Sequence, residues 1–212
     1  MKMTPGKNGK PQQMTDTVQH PICVTEHDTV YEDRLRRIYR KDAEFEGYIK
    51  QYLVSDTGER AAVLVARGSY ILLVMQYRLL INDISLEIPG GKVDTGESAE
   101  IAAIRECQEE TGVECKNLKV LLNYYPGLDV TYNPTYIFYS NEVVPTTITR
   151  NERSVWLPLD VCLNLVFNGK IQDAMTIIGL LTYSVCVCNE WKMKGEYASE
   201  INPVCARIVH WI

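Results

Sequence analysis

Between Gly91 and Val113 the chain reads GKVDTGESAEIAAIRECQEETGV, and this segment constrains the fold more tightly than any other. Gly91, Glu97, Arg105, Glu106, Glu109, Glu110 and Gly112 stand in the spacing G-x5-E-x7-R-E-x2-E-E-x-G. With each residue type used at roughly 7% or less, seven fixed positions coincide by chance on the order of 10⁻⁸ of the time per window. At roughly 100° per residue, a helix over 98–111 gathers Glu106, Glu109 and Glu110 into one arc. Ile104, Cys107 and Thr111 fall on the opposite side, flanked by Ala103 and Ile101. One face therefore carries charge and the other meets a core. Carboxylates at i, i+3 and i+4 repel one another and weaken a helix on its own, so their clustering calls for a compensating cation. Magnesium suits the task, because a hard dication prefers oxygen ligands and keeps waters and substrate phosphates in its shell. Arg105 precedes Glu109 by four residues, a spacing at which its planar fork holds a carboxylate in place. Gly112 stands where a left-handed helix end is expected, and Gly90 with Gly91 lets the chain bend tightly enough for backbone carbonyls to face a metal.

Length and charge bound what surrounds this segment. A chain of 212 residues, 46% of them hydrophobic, can bury one sizeable core. Its 22 basic and 27 acidic residues give a net charge of −5, which argues against a broad nucleic-acid surface. A few Arg or Lys residues and a metal can still neutralise a small phosphorylated substrate. The most apolar stretch, 61–81, is interrupted by Arg67, Gly68, Gln76 and Arg78 and reads as two strands and a turn, not a membrane span. The first residues, MKMTPGKNGKPQQ, lack the apolar core of a signal peptide, so a cytoplasmic location is expected. Cys23, Cys107, Cys115, Cys162, Cys186, Cys188 and Cys205 show no paired zinc-type spacing and are read as reduced thiols. Cys186 and Cys188, in LLTYSVCVC, are expected in the core. His20, His27 and His210 lack ligand-like spacing and are assigned structural or surface roles.

Along the chain, residues 1–20 are polar and expected to be disordered. An N-terminal arm over 21–45 precedes a catalytic domain over 46–191 and a C-terminal extension over 192–212. Residues 47–54 and 61–66 read as strands joined by the Asp56-Thr57-Gly58-Glu59 turn, a hairpin or strand pair. Arg67-Gly68-Ser69 then turns the chain into YILLVMQY, and 118–125 and 135–140 are further strands beyond the helix. Asp160 is placed to cap a helix running to Phe167 and ended by Asn168-Gly169, and Asp173 to cap a longer one reaching Trp191. Strands, helix, strands and helices in this order predict an α+β layered domain.

The 91–113 pattern is that of the Nudix box, and the chain resembles the Nudix hydrolases. The resemblance implies a fold of mixed β-sheets sandwiched between helices in α/β/α layers, here with an N-terminal strand extension. It also implies metal-dependent hydrolysis of a pyrophosphate. Gln76-Tyr77-Arg78, Leu86-Glu87-Ile88-Pro89-Gly90-Gly91, Asn168-Gly169-Lys170-Ile171 and the 173–178 segment are similar to the ADP-ribose pyrophosphatase group over residues 45–181. By that resemblance Glu106, Glu110 and the Gly90 carbonyl hold Mg²⁺, or Mn²⁺ in its place, and Glu109 belongs to the catalytic set. Arg78 contacts substrate phosphate, while Gly91, Glu97, Arg105 and Gly112 shape the motif. The group places a further glutamate, the general base, on a loop; Glu152 matches best and Glu142 is the lesser candidate. Two departures stand out. Pro126 comes two residues early, leaving Leu128 at the position of the group's substrate-selecting proline, and the base glutamate is loosely anchored.

The expected substrate is a nucleoside diphosphate linked to another group, with ADP-ribose first, giving AMP and ribose 5-phosphate. Adenine needs an aromatic platform, for which Tyr31, Tyr39 and Tyr48 are candidates. The group's N-terminal strands pair between subunits, so a homodimer is expected, without nucleic-acid or membrane partners. Three alternatives stay open. The same chemistry suits a GDP- or UDP-sugar, a dinucleoside polyphosphate or an oxidised nucleoside triphosphate. A non-catalytic nucleotide sensor has no use for the intact carboxylates, and an interaction protein has only the apolar C-terminal end to recommend it.

Overall fold

A computed structural model of the protein describes residues 19–144 and 153–193, with side chains as far as residue 186. Expectations for the 1–18 tail, Glu152, Cys188, Cys205, His210 and the 194–212 extension lie outside the described residues. The chain divides into two compact units, Met1–Asp56 and Thr57–Ile212.

Within the first unit, β1 (Cys23–Glu32), β2 (Arg37–Phe45) and β3 (Tyr48–Asp56) form an antiparallel meander. Pairing of β2 with β3 runs to Phe45 and Tyr48, whose rings stack at 4.9 Å, so Glu46-Gly47 is the whole turn. Every residue of β1 is exposed, and among the described residues of this unit Tyr39 and Ala43 of β2 are the buried apolar ones. The expected pairing of 47–54 with 61–66 does not form. β3 pairs with β2, whereas β4 (Arg60–Arg67) pairs with β5, β7 and β11. A two-residue turn closes a hairpin more readily than the longer Asp56 to Glu59 link, so the strands were legible but their partners were not.

The second unit is built on β4. β5 (Tyr70–Arg78) returns beside it, followed by β6 (Asp83–Glu87) and β7 (Gly90–Lys92). Helix α1 (Ala99–Thr111) comes next, then β8 (Glu114–Lys116), β9 (Lys119–Tyr124), β10 (Thr131–Tyr132), β11 (Thr135–Ser140) and β12 (Glu142–Val144). β13 (Ser154–Pro158), α2 (Leu159–Phe167) and α3 (Ala174–Met193) complete it. The main sheet runs β13-β5-β4-β11-β9, with β6 on β5 and β7 on β4. β11 lies parallel to β4 and antiparallel to β9, which makes the sheet mixed.

Strand β4 explains the layering. Its Ala61, Val63 and Val65 join Ala102, Ala103 and Cys107 of α1, while Ala62, Leu64 and Ala66 join Cys162, Leu163, Met175 and Leu180 of α2 and α3. A strand apolar on both faces must be covered on both. The α/β/α arrangement of mixed sheet and helices is therefore present.

Helix boundaries follow local chemistry. Ser98 Oγ accepts from the Ile101 N–H at the start of α1, and Gly112, at φ 72°, ends it in the left-handed conformation. Ile101, expected beside the core, is exposed, because α1 turns Ala102 and Ala103 inward instead. Asp173 caps α3 through the Thr176 N–H at 2.8 Å. Asp160 lies in the first turn of α2 with Pro158 at the cap, so it favours the helix dipole and accepts no capping bond. Cys186 is exposed, against its expected burial, since α3 extends beyond the apolar layer. Among the described residues no helix is long and apolar enough to cross a membrane.

Candidate active site

Two clusters form where β7 passes under α1. In the first, Arg105 spans the motif. Its Nε and Nη2 donate to the two Glu97 oxygens at 3.0 and 2.9 Å, its Nη1 donates to Glu106 at 2.8 Å, and Nη2 also reaches the Lys92 carbonyl at 3.0 Å. Glu109, the partner expected from the i, i+4 spacing, lies farther away at 3.5 Å and is largely exposed. The reason is that Glu97 offers a bidentate fork from the preceding loop, which a helical neighbour cannot match. Those hydrogen bonds raise the Arg105 pKa and hold that of Glu97 below the ordinary carboxylate range. Gly91 in β7 sits so close to α1 that any side chain there would collide with the Glu106 carboxylate. Glycine at this position lets the Glu106 carboxylate keep its place against β7.

The second cluster surrounds Glu110. One carboxylate oxygen accepts from Gln76 Nε2 at 2.5 Å and the other from the Gly90 N–H at 3.0 Å. Burial nevertheless pushes its pKa up, and repulsion from Glu106 and Glu87 adds to the shift. Arg78 binds Glu87 bidentately at 2.7 and 2.5 Å. Burial opposes ionisation of Glu87, but the bonds to Arg78 and Ser85, with the nearby Arg78 and Arg60 charges, together outweigh it, so its pKa lies below the ordinary range. Gln76 and Arg78 are two apart on β5, opposite Ser85 and Asp83 of β6, and strand alternation turns both the same way. That spacing was the available signal for the roles of Gln76 and Glu87, which sequence reasoning did not assign.

Other predicted residues have partners of their own. Glu142, on β12, accepts from Asn117 Nδ2 at 2.6 Å. Tyr39 is buried with Arg37 above its ring at 4.5 Å. Tyr48 stacks on Phe45, and Tyr31 donates to Asp33. His27 pairs with Asp42 at 2.9 Å.

Among the described residues no three His, Cys, Asp or Glu side chains converge as a complete metal cage. A magnesium site does not require one, since waters and substrate phosphates fill much of its shell. Glu106 and Glu110 supply hard oxygen donors, burial and then repulsion from Glu106 raise the pKa of the second, and glycine leaves room beside the first. This donor set fits Mg²⁺.

Residues 56–173 match the NUDIX domain family, and the chain belongs to it. The fold and the box therefore define a hydrolase of phosphorus anhydrides acting on a nucleotide-linked group. Among relatives, the CMP-5'-(N-acetyl-N-hydroxy-3-aminopropyl)phosphonate hydrolase of Streptomyces rubellomurinus is 30% identical over 72% of this chain and 77% of its own. The ADP-ribose pyrophosphatase of Bacillus subtilis is 25% identical over 70% of this chain and 85% of its own. A crystal structure of an ADP compounds hydrolase superposes with a TM-score of 0.67 at 22% identity, covering 85% of this chain and 99% of that one, which speaks to fold alone.

Proposed function

We propose that the protein is a magnesium-dependent pyrophosphatase whose first substrate is ADP-ribose, cleaved with water to AMP and ribose 5-phosphate. The observation that carries this reading is the meeting of Glu106, Glu110, Gly90 and Gly91 at one corner of β7 and α1, with Gln76 and Arg78 beside it. Glu106, Glu110 and the Gly90 carbonyl hold the cation. Bound there, Mg²⁺ supplies charge neutralisation for bridging phosphates and a lower pKa for the attacking water. Arg105 fixes the Glu106 rotamer, and Gln76 does the same for Glu110, so both carboxylates are positioned before substrate arrives. Arg78 offers its remaining donor capacity to a substrate phosphate while Glu87 holds the guanidinium plane. Glu109 adds negative charge on the same helix face, and Glu152 takes the proton from water as the bond to the leaving phosphate breaks. The resemblance of the 76–78 and 86–91 segments to the ADP-ribose group, with the Bacillus relative, supports that substrate.

A second reading, CMP joined to a phosphonate, is favoured by the Streptomyces relative, whose identity is higher. We also propose a homodimer. Val24, Val30, Ile49 and Leu53 of the first unit are exposed, and a meander that buries so little is stable only when another surface covers it.

One assay tests the substrate. The purified protein with Mg²⁺ is given ADP-ribose, GDP-mannose, UDP-glucose, diadenosine polyphosphates, nucleoside triphosphates and a CMP-phosphonate, and the products are identified. AMP with ribose 5-phosphate is the expected pair. Release of CMP alone supports the second reading, and return of every compound intact would overturn both.

A further inference from the structure

Where the α3 side of the main sheet reaches the end of β4, the apolar layer gives way to a cavity of about 470 Å³. Arg60, Thr135 and Tyr124 line it from three adjacent strands, Ser85 and Glu87 from β6, and Asp173 from the start of α3. Its other charges already have partners. Glu87 holds Arg78, and Asp173 Oδ2 accepts from the Thr176 N–H and hydroxyl. Arg60 differs: among the described residues no carboxylate lies within 4.0 Å of its guanidinium. Asn133 also borders the cavity, but its Oδ1 is buried out of a ligand's reach. An unpaired guanidinium is a ready fork for phosphate or carboxylate.

We infer that Arg60 forms a subsite for an acidic part of the substrate, distinct from the pyrophosphate that is cleaved. Arg60 takes the phosphate, phosphonate or carboxylate. The inference rests on the hydrolase reading and extends it: a substrate that carries a negative charge beyond its two bridging phosphates binds more tightly than its neutral counterpart. Arg78 borders both places, which puts the subsite next to the Glu110 cluster.

The test uses two matched pairs that differ in one acidic group, UDP-glucose with UDP-glucuronic acid and ADP-ribose with ADP-ribose 2′-phosphate. Binding to the full chain is measured by calorimetry in EDTA, so the result does not depend on turnover. In at least one pair the acidic member should bind ten-fold or more tightly. Arg60→Ala should erase that preference without weakening the neutral member, and Arg60→Lys should keep part of it. Melting curves establish that each variant is folded, and Arg60→Gln replaces Arg60→Ala if the latter is not. Equal binding within both pairs, no binding of any of the four, or a preference that survives Arg60→Ala overturns the subsite. Hydrolysis of the neutral members with Mg²⁺ is scored separately, so the subsite can fail while the proposed function stands.

Discussion

At the scale of single residues, the two carboxylates beside β7 differ in what holds them. Glu110 is half-buried, with its pKa raised by that burial, and accepts neutral hydrogen bonds from Gln76 and Gly90. Glu106 is tied to a cation, Arg105. Replacing either with Gln should lower turnover by at least about 10² through lost metal positioning. Stability should separate them. Glu110→Gln removes a desolvated charge and should leave the melting temperature in EDTA unchanged or higher, whereas Glu106→Gln loses an ion pair and should lower it slightly. A variant retaining full Mg²⁺-dependent turnover would remove its carboxylate from the site. Arg78→Ala should act twice. It should raise KM with kcat nearly unchanged, as expected for a contact made equally in ground and transition states. It should also cost about 2 kcal/mol in urea unfolding, because Glu87, 6% exposed, is left without its partner. That figure is set below the loss for a fully buried pair because Arg78 is itself 46% exposed.

At the scale of elements, α1 carries the site on one face and the core on the other, so its ends fix where the carboxylates stand. Ser98 and Gly112 set those ends without touching substrate. Ser98→Ala removes the bond to the Ile101 N–H and should cost about 1 kcal/mol. Gly112→Ala forces a side chain into φ 72° and should cost a similar amount, about 1 kcal/mol. Thermal melts should show both losses while turnover per folded molecule stays near wild type. A large fall in turnover without a fall in stability would mean that these caps position the carboxylates more directly.

At the scale of the whole molecule, the thiols report on layering. Cys107, Cys115 and Cys162 are buried, whereas Cys23 and Cys186 are exposed. Burial pushes the Cys162 pKa up to about 12, and donation of the Cys107 S–H to Cys115, with burial, raises that of Cys107 as well. A raised pKa keeps a thiol protonated below it, and thiolate is the reactive form, so at pH 8 neither should alkylate in the folded state. Peptide mapping after iodoacetamide should find label at Cys23 and Cys186, and at the buried three only in denaturant. For assembly, light scattering at micromolar concentration should give a dimer that survives deletion of residues 1–20 and is lost on deletion to residue 45. A monomeric full-length chain would end the dimer proposal.

Much of this protein is written locally. The glutamates of α1, its serine cap and its glycine end follow from spacing, because a helix converts sequence separation directly into angle. Turn residues marked where the strands end, because such punctuation is also local. Partners across the chain carry no such code. That β3 returns on β2, that β4 runs parallel to β11, that Arg105 prefers Glu97 to Glu109, and that Gln76 secures Glu110 all depend on segments far apart in sequence meeting at one place. The cavity at Arg60 is of this second kind. Its walls come from β4, β6, β9, β11 and the start of α3, and only packing of the sheet against that helix decides that a guanidinium without an ion-pair partner borders that space.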